Sequence, residues 1–239
     1  MNSIAVIIPA YNEQDNIAKL ANKIKDLLPR SSIYIIDDSP GNQTNFIINK
    51  KKFNYYHRKK KLGRGSAILY GIKKAILVRR YNIFIEMDAD FSHNPNELIK
   101  NINLFKKKNA DLLISSRYLK NSRIINWPIS RKIFSFLSNY LSRIFLQIPI
   151  SDYTNGFRIY SNRAALKIIK NCGKIGDGFI ILSEILLVLH SSKCRIFETS
   201  TIFVNRVRGE SSVNLKLIFS SLVGLVKLFF NKKKYKILD

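Results

Sequence analysis

Residues 83–95 of this chain read IFIEMDADFSHNP, and no other stretch constrains its folding as much. Ile83, Phe84, Ile85 and Met87 form an apolar run broken only by Glu86. That length and composition suit a short strand covered on both faces. The run stops at Asp88-Ala89-Asp90, and Asn94-Pro95 opens a helix expected to reach about Lys107. Two carboxylates one residue apart at the carboxyl end of a buried strand call for positive charge nearby. In open α/β sheets that crevice is where ligands bind. Oxygen donors without Cys or His suit Mg²⁺ or Mn²⁺, which commonly bridge one or two carboxylates to a substrate diphosphate. Taken alone, the pair is equally consistent with a cap on the following helix.

The chain ahead of this stretch repeats the design. Residues 3–8 (SIAVII) read as a buried strand running into Pro9-Ala10-Tyr11-Asn12-Glu13. Residues 15–28 read as an amphipathic helix with Ile17, Leu20, Ala21, Ile24, Leu27 and Leu28 on one stripe. A second strand, 33–36, ends in Asp37-Asp38 and the turn cluster Ser39-Pro40-Gly41-Asn42. Two strands joined through a helix and finishing in polar residues at one edge mark a doubly wound, nucleotide-binding sheet. Residues 53–56 are expected as a short third strand. Lys61-Leu62-Gly63-Arg64-Gly65-Ser66-Ala67 then opens a helix to about Arg80, its glycines and cations suited to phosphate contact or to an ordinary helix-starting turn. After the central strand, 110–115 reads as a strand ending at Arg117, and 152–160 (DYTNGFRIY) as a loop entering a short strand. Residues 162–170 and 179–190 read as helices, and 199–204 as a last strand.

Two helical stretches have unusual surfaces. Residues 128–145 carry Ile133, Phe134, Phe136, Leu137, Tyr140, Leu141, Ile144 and Phe145, punctuated by Arg131, Lys132 and Arg143. This suits a core-packed helix or one lying in a membrane interface. Residues 213–230 are apolar with Lys216 and Lys227 near the ends, followed by KKKYK, which suits a docked helix or an interfacial one. No stretch reaches the roughly 18 apolar residues of a spanning helix, and the first 13 residues lack a signal-peptide pattern. Cys172 and Cys194 have neither metal-ligand spacing nor a disulfide framework, so a reduced, cytoplasmic-side setting is expected. With 41 Lys and Arg against 16 Asp and Glu, the net charge is +25, a field that attracts nucleic acid or an anionic membrane surface. The basic runs at 50–52, 58–61, 106–108 and 232–236 read mostly as solvated faces. No nucleic-acid partner is expected, because Asp37, Asp38, Asp88 and Asp90 share the sheet edge where such a binder needs cations.

IIPAYNE, IIDD, KLGRGSA, MDADFSHNP, SRY, ISRK, SDYTNGFRIY and FVNRVRGES occur together in the order and spacing of a known group. The chain resembles family 2 glycosyltransferases of the GT-A fold and, within them, the dolichol-phosphate (polyprenol-phosphate) mannosyltransferases, over roughly residues 3–215. The resemblance implies an α/β, Rossmann-like nucleotide-sugar-binding domain with a mostly parallel central sheet over 1–212. A basic, apolar, amphipathic C-terminal helix follows over 213–239. It further implies that Pro9, Tyr11, Glu13, Ile36 and Asp38 line the donor nucleotide, and that Asp88, Ala89 and Asp90 sit at its diphosphate with both aspartates on Mg²⁺ or Mn²⁺. Arg117 and Arg206 match phosphate-binding positions for donor and acceptor, and Arg131 and Asp152 match motif positions on the acceptor side. Two departures stand out: Asp37-Asp38 runs into SPGNQT without the family's third acid, and Ser212 follows GES where the family tends to have Lys.

The implied activity is inverting, metal-dependent transfer of a hexose, mannose from GDP-mannose, to a polyprenyl or dolichyl phosphate by a peripheral enzyme at the cytoplasmic membrane face. Its partners would be the nucleotide-sugar donor, the polyprenyl phosphate, an anionic membrane surface and, left open, a membrane-protein partner. The alternative within the family is another nucleotide sugar, or a sugar-hydroxyl acceptor in cell-surface polysaccharide synthesis. A phosphate acceptor, with a second pKa of about 6, is largely ionised near neutral pH and needs cations rather than a strong base. Arg117, Arg131 and Arg206 would supply them, while His57, His93 and His190 fall at no evident base position. Asp152 is read as a base toward a hydroxyl acceptor or as the group that orients an arginine.

Overall fold

The computed structural model describes residues 3–41, 43–176, 178, 180–205 and 215–235. Seven strands make its central sheet, in the spatial order β3 (Asn54–His57), β2 (Ser32–Asp37), β1 (Ile4–Ala10), β4 (Ile83–Glu86), β7 (Arg158–Ser161), β5 (Leu112–Ser116) and β8 (Ile196–Ser200). Neighbours run parallel except β7, which is antiparallel to both β4 and β5. Strand β5 therefore points the same way as β1, β2 and β4. The carboxyl ends of all four meet at one edge, together with the entry of β7.

The strands are apolar in both registers, and alternation sends successive residues to opposite faces. Ile7, Tyr34, Ile36 and Phe84 pack on a layer that includes α3 (Arg64–Val78), α6 (Asn162–Asn171), α7 (Ile180–Ser191) and α8 (Leu215–Tyr235). Val6, Ile8, Ile33, Ile35 and Ile85 pack on α1 (Gln14–Leu27) and α4 (Glu97–Lys107). The α/β, mostly parallel architecture expected from the sequence is the one found.

Short elements differ from expectation. A five-residue helix, α2 (Gln43–Ile47), and a three-residue strand, β6 (Arg123–Ile125), were too short to leave a periodic signal. The single strand expected over 199–204 divides into β8 and β9 (Ile202–Val204), which pairs with β6 in a separate parallel ribbon. The division falls at Thr201, whose hydroxyl donates to Glu97 Oε2 at 2.6 Å, while the Ile202 amide donates to Glu97 Oε1 at 3.1 Å. Both bonds draw the chain off the main sheet.

Helix α5 (Ile129–Leu146) is amphipathic in the inverse sense. It buries Ser135, Asn139, Ser142 and Leu146, and it exposes Ile129, Ile133, Phe136, Leu137, Tyr140 and Ile144. Helix α8 lies against α5 and α7, with Leu225, Leu228 and Tyr235 buried. Its outer side presents Leu222, Val223, Val226, Phe229 and Phe230. Phe229 meets Phe145 edge-on at 5.4 Å, and an apolar groove of about 380 Å³ runs beside them, lined by Phe145, Leu222, Val226 and Lys227. The Tyr235 hydroxyl fastens the end of α8 by donating to buried Glu184 at 2.8 Å. No helix among the described residues is long and apolar enough to cross a membrane.

Candidate active site

The sheet edge gathers two clusters. The first forms where β4 ends. Asp88 Oδ1 accepts from Arg64 Nε at 2.8 Å and lies 2.7 Å from Arg64 Nη2, while Oδ2 meets His93 Nε2 at 3.2 Å. Burial alone would raise the Asp88 carboxyl, but Arg64 and His93 outweigh it and hold it well below the usual carboxylate range. Glu86, one turn of the pleat deeper, lies 2.6 Å from Arg64 Nη1 and accepts from the Tyr160 hydroxyl at 2.6 Å. Asp90 takes the Ser92 amide at 3.0 Å, and the buried Ser92 hydroxyl has no hydrogen-bond partner among the described residues.

The neighbouring ends of β1 and β2 supply the expected donor residues. Asp38 is buried and gripped by Arg58 through Nε–Oδ1 at 2.5 Å and Nη2–Oδ2 at 2.7 Å, with the Leu62 amide donating to Oδ2 at 2.9 Å. Asp38 thus fastens residues 58–62 over the edge, and Arg58 is a buried partner rather than part of a solvated basic run. Tyr11 stands beneath Lys61, whose Nζ lies 3.9 Å from the ring centre. Glu13 caps the start of α1, its carbonyl accepting the Ile17 amide at 2.9 Å and its carboxylate the Asn16 side chain at 2.9 Å. Pro9 sits in β1 and is half-buried. The side chains of Ile36 and Ala89 are buried in the two cores, so any contact either makes with a ligand is through its backbone.

The second cluster forms where β5 ends. Asp152 accepts Arg117 Nε and Nη2, each at 2.8 Å, the Arg117 amide at 2.9 Å, and the amides of Thr154 at 3.1 Å and Asn155 at 3.0 Å. Burial would raise this carboxyl, yet Arg117 and the amides lower it. Arg117 is raised in turn: burial opposes its charge and Asp152 more than restores it. With five nitrogen donors on its two oxygens, Asp152 is engaged with Arg117 and its own loop. The Arg117 guanidinium lies 5.4 Å from the Trp127 ring and 5.5 Å from Phe203, and Arg131 stacks on the same indole at 4.3 Å while donating to Asn205 at 2.8 Å. Trp127 therefore brings together two arginines that stand 14 residues apart in the chain. Its buried indole N–H has no partner among the described residues. Arg206, matched to a phosphate-binding position, and Ser212, which stands where the family tends to have Lys, lie outside the described residues, as does the side chain of Lys216.

Sequence reasoning did not single out Arg58, Glu86, Trp127 or the His93–Asp88 contact. Each depends on a partner that only the folded sheet supplies, and a lone tryptophan gives no pattern. The donor set fits a divalent metal. Asp88 and Asp90 are hard oxygen donors at one strand end, with the orphaned Ser92 hydroxyl beside them, and Mg²⁺ or Mn²⁺ takes its remaining ligands from water and diphosphate. No group of three or more His, Cys, Asp or Glu suited to a metal occurs among the described residues.

The profile of one family, described as "Glycosyl transferase family 2", matches residues 5–169. The undecaprenyl-phosphate mannosyltransferase of Micrococcus luteus is 28% identical over 232 residues, covering 94% of this chain and 93% of that protein. The polyprenol monophosphomannose synthase of Mycolicibacterium smegmatis is 34% identical over 169 residues, covering 68% of this chain and 63% of that protein. Among solved structures, glucosyl-3-phosphoglycerate synthase from Mycobacterium tuberculosis, in complex with Mn²⁺, UDP-glucose and phosphoglyceric acid, superposes with a TM-score of 0.66 at 15% identity. That superposition covers 96% of this chain and 80% of the other, and it shows a shared GT-A fold.

Proposed function

Since the chain belongs to glycosyl transferase family 2, we propose that it moves a hexose, mannose from GDP-mannose, onto a polyprenyl phosphate with inversion, working peripherally at the cytoplasmic face of a membrane. The observation that carries the reading is the pairing, along one sheet edge, of the Asp88–Asp90 carboxylates with the Arg117–Trp127–Arg131 cluster. The first suits a metal-bound nucleoside diphosphate and the second a phosphate acceptor. The relatives named above, one acting on undecaprenyl phosphate and one a polyprenol monophosphomannose synthase, support that choice of acceptor and sugar.

Asp88 and Asp90 would hold Mg²⁺ or Mn²⁺, which when bound supplies electrophilic stabilisation of the departing diphosphate. Asp152 fixes Arg117 from the buried side, leaving the guanidinium stacked and pre-oriented toward the acceptor. Thr154 accepts from Arg117 Nη2 at 2.6 Å and from Asn139 of α5 at 3.2 Å, so the acceptor loop is tied to the helix whose other face is apolar and exposed. An ionised phosphate attacks without giving up a proton, and Asp152 already has its lone pairs engaged. The outward apolar sides of α5 and α8, on a chain of net charge +25, suit an anionic lipid surface that also presents the polyprenyl chain.

The test is a donor screen: radiolabelled nucleotide sugars with polyprenyl phosphate in detergent, with and without EDTA. Organic-phase label from GDP-mannose that disappears in EDTA is the expected result. Label appearing only on a water-soluble sugar hydroxyl would overturn the acceptor assignment.

A further inference from the structure

Arg64 is the first residue of α3, following Gly63, whose φ of 87° turns the chain into the helix in a conformation that side-chain-bearing residues rarely adopt. Its guanidinium crosses to the end of β4. Nη1 lies 2.6 Å from Glu86 Oε1, and Nη2 and Nε lie 2.7 and 2.8 Å from the one oxygen Asp88 Oδ1. Nη2 also donates to the Gly156 carbonyl at 3.4 Å, and a Cβ on Gly156 would overlap the guanidinium. The loop ahead of β7 is thus shaped around this side chain. A positive charge stands where a divalent ion must stand to use Asp88 Oδ1, and the other oxygen is engaged by His93.

We propose that Arg64 is a stand-in cation: it covers Asp88 until a divalent metal takes that oxygen, then turns onto the diphosphate of the donor while pivoting on Glu86. The inference rests on the metal-dependent reading above. The two carboxylates are unequal in the way such a pivot requires. Glu86 is 1% exposed, so its charge cannot be left uncovered and it keeps the guanidinium. The Asp88 side chain is 27% exposed, where water and a metal can reach it. A planar guanidinium can keep one edge on a carboxylate and offer the other to a phosphate. Its place at the first residue of α3 aims it at an anion that the helix N-terminus also favours.

The experiment titrates Mn²⁺ into the full chain without nucleotide, read by electron paramagnetic resonance, for wild type, Arg64→Met and Arg64→Met/Glu86→Gln. The double variant removes both charges and guards against a fold lost to an unpaired Glu86. Mn²⁺ should bind about tenfold more tightly once Arg64 is gone, equivalent to about 1.4 kcal/mol. GDP binding at saturating Mn²⁺, measured by calorimetry, should weaken by a similar factor. Unchanged or weaker Mn²⁺ binding in the double variant overturns the proposal, as does unaltered GDP affinity. Failure of every protein to bind Mn²⁺, with or without GDP, overturns the metal-dependent reading and this proposal with it.

Discussion

Asp152 acquires its role from what surrounds it. As a residue in DYTNGFRIY it was readable as a base or as an arginine's partner, and five nitrogen donors on its two oxygens, three of them from Arg117, favour the partner. Asp152→Asn should therefore leave Arg117 buried without its paired carboxylate charge and lower stability by about 3 kcal/mol or more. The KM for polyprenyl phosphate should rise while the pH profile of kcat keeps its shape; loss of a titrating limb with unchanged KM would restore the base. The sign of the pH effect on stability follows from the lowered carboxyl. A depressed folded-state pKa contributes stability that is fully present above the unfolded value of about 3.9 and is lost as pH falls through the folded value. The urea-measured gap between wild type and Asp152→Asn should then be constant near neutrality and close below about pH 4. Asp90→Ala should remove nearly all transfer while near-ultraviolet circular dichroism stays native, since the leaving diphosphate loses a ligand of its metal; turnover within about tenfold of wild type would argue against that place for the metal. The aspartates were legible because a strand-end pair is a local pattern. The carboxylate partners of Arg58 and Arg64 were not, because they lie 20 and 24 residues away and only the parallel sheet brings them into reach.

At the scale of elements, periodicity locates a helix and says which residues share a side, but not which side faces inward. Helix α5 was legible as a helix over nearly its whole length, but of its two readings the core-packed one does not hold: Ser135 and Asn139 face the protein, accepting from Tyr118 and Tyr153, and the apolar row faces outward. Its outward rings, Phe136 and Tyr140, stack on each other at 6.4 Å and are more than half exposed. Phe136→Glu/Tyr140→Glu should change folding stability by less than about 0.5 kcal/mol and sharply reduce flotation with anionic liposomes. Full flotation would assign the face to something other than lipid. Helix α8 answers a different question. Removing residues 215–235 strips Leu225, Leu228 and Tyr235 from the core and leaves Glu184 short of a donor. That deletion should lower the melting temperature by many degrees, so loss of liposome binding after it reports unfolding as much as loss of an anchor. Outward substitutions such as Phe230→Glu, at a residue 77% exposed, separate the two.

For the whole molecule, sheet order and charge act together. The parallel edge was legible early, because strand after strand ended in polar residues. The antiparallel insertion of β7 was not, since a four-residue strand carries no sign of direction. Net charge is a property of the whole chain, and it predicts how the chain meets a surface rather than how it folds. Lys132, Arg143, Lys227 and Lys234 are exposed on the same two helices that expose the apolar rows, so under the proposed docking both kinds of contact come from one pair of elements. Each basic residue near an anionic leaflet contributes about 1 kcal/mol, and that contribution fades as the Debye length shrinks from about 10 Å at 0.1 M salt to about 3 Å at 1 M. The apolar contribution does not fade with salt. Binding to vesicles containing phosphatidylglycerol should therefore fall steeply between these salt concentrations and level off at a residual affinity. Vesicles of phosphatidylcholine alone should show only that residual affinity, at either salt concentration. Phe136→Glu/Tyr140→Glu should abolish the residue and leave the slope, whereas Lys227→Glu/Lys234→Glu should flatten the slope and leave the residue. Salt-independent binding to anionic vesicles would remove charge from the docking mechanism and leave the apolar rows to explain it alone.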